Sequence, residues 1–216
     1  PTPSDIGKLY SSDLLLLNGL GFEEWIDNVT IALGSDGPTV IDVGLALVEE
    51  IEGVMNAGRD HGGRFNELDP HVWLDPQLAK KQVEAIAAAF IEIDPYGSEV
   101  YNTNKATIVT ELEDLHSRLE VGLSSCHQDH FITSHAAFVY LARRYGLEQV
   151  PISGLSPGSE PGPLDLVSII DTIKELGIQY IMTEIVVTTA FAETVAREVG
   201  VHMLPSYSIE SLTIDQ

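Results

Sequence analysis

The chain has 216 residues and 44% hydrophobic content, enough to bury a core as one large domain or two small ones. Eleven Lys+Arg stand against 33 Asp+Glu, a formal net charge of −22 that argues against nucleic acid and anionic membrane surfaces as partners. The single cysteine, Cys126, excludes an internal disulfide and a Cys-rich zinc site, and no apolar run reaches the length of a membrane span.

The chain opens on Pro1-Thr2-Pro3-Ser4-Asp5, which reads as mid-protein sequence, so the natural N-terminus is expected upstream. Ser4 or Asp5 caps a helix whose Ile6, Leu9 and Tyr10 follow at helical spacing. Asp13 to Leu17 reads as a short buried strand ending in the turn Asn18-Gly19. Glu23 to Ile26 opens another helix that stops near Gly34, and Val40 to Val43 is the next strand. Strand–helix alternation of this kind predicts a parallel sheet covered by helices.

The stretch from Asn56 to Leu68 is polar and Gly-rich and reads as a loop. It runs into a stiff apolar segment, Asp69-Pro70-His71-Val72-Trp73-Leu74-Asp75-Pro76, after which Ala79, Val83, Ile86, Ala87 and Phe90 mark a helix. A long amphipathic helix follows from about Ser98 to Leu123, with Tyr101, Ile108, Leu112, Leu115, Leu119 and Leu123 on one stripe. Next come a strand at His130–Ser134, a helix beginning near His135 and closed by Gly146, and a strand at Val150–Ile152. A Gly/Pro/Ser-rich stretch, 154–163, reads as a surface loop that could border a binding mouth. A helix from Leu164 to Leu176, a strand at 179–183, a helix from Ala190 to Val199 and a last strand at 201–204 make the second half another βα array.

Three residues could carry chemistry. Two prolines and an indole fix the backbone around His71, as a preorganised metal ligand needs; a structural histidine packed beside Trp73 fits the same residues. His135 follows a strand, at the edge of a parallel sheet where α/β proteins build their sites, and Ser134 before it reads as an ordinary cap. Glu184 stands at a second strand end, where it could ligate a cation or simply face solvent. His61 would at most capture a metal transiently, and His116, His127, His130 and His202 read as surface. There is no His-Glu-x-x-His, no Gly-x-Ser-x-Gly and no phosphate-cradling loop, so binding is favoured over catalysis and no enzyme is expected.

At these residues the chain resembles the zinc/manganese-binding solute receptors of ABC importers. The matching stretches are Pro1-Thr2-Pro3-Ser4-Asp5, Asn18-Gly19-Leu20-Gly21, and Asp69 through Pro76. They continue with Ser134-His135-Ala136-Ala137-Phe138 through Tyr145-Gly146, then Gly154-Leu155-Ser156-Pro157, and Glu210-Ser211-Leu212-Thr213. The resemblance implies an α/β fold of two lobes of parallel sheet flanked by helices, with the metal in the cleft between them. Residues 1–96 would form the first lobe, lacking its first strand–helix–strand. Residues 97–124 would be one long rigid linking helix, and 125–216 the second lobe. His71 and His135 match the second and third ligand positions. The first ligand lies before the point where this chain starts, and counting back from Glu210 puts Tyr207 at the position of the fourth, an acid. Glu184 or water would complete the site.

The implied function is a Zn2+ receptor, with Mn2+ as the alternative metal, that delivers its ion to an ABC transporter permease. It would work as a periplasmic or extracellular monomer, lipid-anchored in the full-length protein. A second reading is an adhesin or scaffold of the same fold with a structural or vestigial metal. A third is a metallohydrolase using Glu184 as base.

Overall fold

A computed structural model describes residues 2–34, 37–57, 69–155, 159–184 and 189–210. His61 lies outside the described residues, as do 58–68 of the polar loop and 156–158 of the second loop. The chain divides into two compact units, Pro1–Arg118 and Leu119–Gln216, and the division falls inside a single long helix.

In the first unit, α1 (Pro3–Tyr10) starts two or three residues earlier than expected, capped by neither Ser4 nor Asp5. Thr2 is its cap: Thr2 and Asp5 bond each other reciprocally, satisfying two donors that the first turn would otherwise leave bare. Two short strands, β1 (Leu14–Leu17) and β2 (Thr39–Asp42), pair in parallel from Leu14 opposite Thr39 to Leu17 opposite Asp42. Between them lies α2 (Ile26–Leu33). Beyond them, α3 (Val48–Ala57) was not anticipated; its acidic first turn, Glu49 and Glu50, suits the positive end of a helix. Leu17, Val29, Leu33, Val43, Leu47, Ile51 and Leu78 are buried here. The turn after β1 is tight: Gly19 has φ +76°, and a Cβ there would stand 1.8 Å from Asp42 Oδ1.

Helix α4 (Pro76–Ile93) begins as its sequence predicts, with Asp75 accepting from the Gln77 N–H at 2.9 Å and Pro76 in the first turn. Helix α5 (Ser98–Leu123) has the predicted range but buries no residue completely. Its apolar stripe is only half-covered. Tyr101 stacks on Phe90 at 5.2 Å and donates to Asp94 at 2.9 Å, and Lys80 of α4 pairs with Glu113 at 3.2 Å.

The second unit holds a four-stranded parallel sheet in the order β4-β3-β5-β6. Its strands are β3 (His130–Thr133), β4 (Glu148–Pro151), β5 (Tyr180–Glu184) and β6 (His202–Ser206). Helices α6 (Val139–Arg144), α7 (Pro163–Leu176) and α8 (Ala190–Val199) connect them. Gly177 and Gly200 end α7 and α8 in the left-handed conformation that glycine tolerates best. Ile132, Ile152, Ile169, Ile173, Ile178, Ile181, Ala192, Val195 and Ala196 form the core. Each large aliphatic side chain there contributes roughly 1.5–3 kcal/mol of burial. The chain leaves β3 toward β4 on one side, while β5 lies on the other. The C-terminal ends of β3 and β5 therefore meet at a switch point, the usual place for a site in an open parallel sheet.

One expectation fails in a useful way. Helix α6 starts at Val139, so His135 belongs to an irregular segment between β3 and α6 rather than to a first helical turn.

Candidate metal-binding site

In the first unit, the Asp69-Pro70-His71 segment is pinned before it reaches the short turn Val72–Leu74. Asn18, just past β1, donates from Nδ2 to the Pro70 carbonyl at 2.9 Å, and Gln82 of α4 holds the Asn18 Oδ1 at 2.9 Å. His71 is buried, and its Nδ1 meets Asp69 Oδ1 at 2.7 Å. The same oxygen accepts the His71 backbone N–H at 2.9 Å. Trp73 lies 5.3 Å from the imidazole, and Phe22 meets the indole edge-on at 5.4 Å. A carboxylate two residues upstream thus fixes the orientation of the ring, and a metal would be taken on Nε2.

The second unit repeats the arrangement by different means. His135 is fully buried, and its Nδ1 meets Oε1 of Glu184, the last residue of β5, at 2.5 Å. Ser134 donates to the same oxygen at 3.1 Å, and Ser208 donates to Oε2 at 2.5 Å. Ser134, expected as a helix cap, is thus a partner of the carboxylate. Helix α6 has Phe138 at its cap position and no side-chain cap bond. Glu210 reaches the other ring nitrogen, its Oε1 standing 2.9 Å from His135 Nε2.

Burial alone would lower the His135 pKa. The hydrogen bonds to Glu184 and Glu210, and the charges behind them, outweigh it and raise the imidazole to about 9. In the metal-free chain the ring is a cation between two carboxylates.

Of the three residues expected to ligate, the structure brings His135 and Glu184 into contact and places His71 with Asp69 in the first unit. Glu184 occupies the Nδ1 side of His135, and Ser134 and Ser208 hold its carboxylate there. The carboxylate on the Nε2 side is Glu210. Sequence reasoning used Glu210 only as a landmark for counting back to Tyr207, whose side chain is half exposed. The signal was available: Glu210 is itself an acid in a matching motif. Asp69 was equally readable, two residues before a histidine in a proline-stiffened stretch. Of the histidines expected at the surface, His130 is half-buried, between Asp129 at 2.6 Å and Glu148 at 3.2 Å.

Comparisons with known proteins agree with this chemistry. The family model for ZnuA, the periplasmic component A of the zinc-uptake complex, matches residues 1–216. The high-affinity zinc uptake system protein ZnuA of Bacillus subtilis is 33% identical, over 100% of this chain and 69% of its own length. The zinc-binding lipoprotein AdcA of Streptococcus pneumoniae is 36% identical over 99% of this chain, which spans only 43% of that protein. Among solved structures, a mutant of the laminin-binding adhesin Lmb from Streptococcus agalactiae superimposes with a TM-score of 0.87. It shares 28% identity, covering 99% of this chain and 78% of that one.

Proposed function

Because the chain belongs to the family of periplasmic zinc-uptake component A proteins, we propose that it captures Zn2+ outside the cytoplasm and delivers it to an ABC transporter permease. The donors are the Nε2 atoms of His71 and His135 and the carboxylate of Glu210. Asp69 and Glu184 hold the two rings from behind. The observation that carries this reading is the repeated pair: two buried histidines, each with Nδ1 held by a buried carboxylate, at 2.7 Å and 2.5 Å. Outer carboxylates of this kind fix the tautomer and raise the basicity of a zinc-bound imidazole. Two imidazoles favour zinc over manganese, which prefers more oxygen donors.

The mechanism is capture and release. Both oxygens of Glu184 are occupied by His135, Ser134 and Ser208, which argues against that residue as the base of a hydrolase. Among the described residues no helix is long and apolar enough to cross a membrane, which agrees with a receptor that works beside its permease.

A bacterial strain lacking its own zinc receptor tests delivery. Expression of the chain in the compartment facing the permease should restore growth in chelated medium, and the His135→Ala variant should not. Equal growth with both would remove the transport reading. Attachment to laminin is a second reading, favoured by the likeness to the Lmb adhesin. A zinc-loaded chain that binds laminin but never supports growth would select it.

A further inference from the structure

His135 carries its ligand atom on a backbone that no helix supports, since β3 ends at Thr133 and α6 begins at Val139. A ligand must be held to within a fraction of an ångström, so other bonds must replace the missing helical ones. Ser134 donates its N–H to the Met182 carbonyl at 2.9 Å, and Ala136 donates to Gly154 at 3.1 Å. Those bonds fix the residues on either side of His135.

The His135 carbonyl is held by two side chains. Thr133 Oγ1 donates to it at 2.7 Å, and Gln149 Nε2 donates to it at 3.0 Å. The same Nε2 donates to Thr133 Oγ1 at 2.6 Å, and Gln149 Oε1 accepts the Phe138 N–H at 3.1 Å. The amide's orientation follows from its partners: a carbonyl can only accept and a backbone N–H can only donate. One side chain in the middle of β4 therefore closes a ring around the whole segment from Thr133 to Phe138.

We propose that Gln149 is a positioning residue for zinc: its amide replaces helical hydrogen bonds and sets where His135 presents Nε2. This rests on the zinc reading above. Gln149 never touches the metal. It acts through the His135 carbonyl, so its loss should be felt as weaker and faster-released zinc more than as a loss of fold. Leucine or methionine would fill the space of the amide but leave the Phe138 N–H and the His135 carbonyl without this partner.

The test measures zinc affinity by chelator competition and zinc release by stopped flow, for the wild type, His135→Ala, Gln149→Met, Gln149→Glu and the double variant Gln149→Met/His135→Ala. Gln149→Glu keeps the acceptor for Phe138 and replaces only the donor, and it serves if the methionine variant does not fold. The expected result is a loss of about tenfold or more in affinity for either Gln149 variant, in the range typical of outer residues at metal sites. Release should quicken to match, and the Gln149 effect should vanish in the His135→Ala background. A Gln149 variant with a lowered melting temperature but unchanged affinity and release overturns the proposal, because the residue is then only structural. An unchanged affinity in His135→Ala overturns the site reading itself, whatever Gln149 does.

Discussion

Glu184→Gln removes one charge and leaves the shape of the side chain intact, so it isolates what the carboxylate does for His135. Glu184 accepts three bonds, from His135 Nδ1 at 2.5 Å, Ser134 at 3.1 Å and Ser208 at 2.5 Å. An amide offers one acceptor oxygen and one donor nitrogen, so at least one of these partners loses its acceptor. If the amide nitrogen faces Nδ1, that atom must accept, and the ring proton moves to Nε2 where the metal would bind. A hydrogen bond to a charged group is worth about 1.5–3 kcal/mol. Loss of an outer carboxylate at a metal site costs about 10–100-fold in affinity, or roughly 1.4–2.7 kcal/mol, so the two routes agree. Chelator competition at pH 7.5 should show zinc affinity falling by that factor, and melting of the metal-free variant would show that it is folded. Unchanged affinity would refute the reasoning. A loss beyond about 1000-fold, with one ligand fewer by X-ray absorption, would instead place Glu184 on the metal.

On the proposed site, zinc taken on His135 Nε2 displaces a proton, since Glu184 and Glu210 raise the imidazole from an ordinary 6.5 to about 9. Titrations at pH 7.5 in buffers of different ionisation enthalpy should therefore show about one proton released by this ring, and heats independent of the buffer would contradict it. Because the folded-state pKa is raised, the stabilisation is fully present below pH 6.5 and is lost as pH rises through about 9. The metal-free chain should accordingly melt at lower temperature at pH 9 than at pH 6.5, the linkage amounting to roughly 3 kcal/mol at most. Gly19→Ala places a methyl group 1.8 Å from Asp42 Oδ1 at φ +76°, and denaturant titration should show a loss of at least about 1–2 kcal/mol. An unchanged midpoint would mean that the β1 turn relaxes freely. With a formal charge of −22, the chain should melt at higher temperature as KCl rises from low to molar concentration, because the screening length shrinks from about 10 Å at 0.1 M to about 3 Å at 1 M. A flat or falling melting curve would show that self-repulsion does not limit stability.

The regular elements were legible because local chemistry sets them. Asp75-Pro76 starts α4, Gly177 and Gly200 stop α7 and α8, and the apolar run Leu14–Leu17 is the first strand. Where the cause lies elsewhere in the chain, the sequence pattern was silent or misleading. A strand followed by Ser134-His135 looks like a helix start, yet Ser134 turns to Glu184, 50 residues away, and Gln149 and Thr133 hold the backbone open. The stripe on α5 has helical spacing, but spacing alone does not determine how much of it is covered. His71 and His135 were readable as candidates from their neighbours. The roles proposed for them rest on the carboxylates at Nδ1, and for His135 that partner is a tertiary contact invisible to local spacing. Glu210 stands in a matching motif, where it served only as a landmark; its meeting with His135 spans 75 residues and is visible only in the fold.

The central claim is that His71 and His135 serve one zinc ion. A calorimetric zinc titration of the chain beside His71→Ala and His135→Ala tests it most directly. The account predicts one zinc per chain, and a fall in affinity with either variant that exceeds the roughly 100-fold cost of an outer residue, while both variants still melt cooperatively. Zinc bound with wild-type affinity by both variants would contradict it.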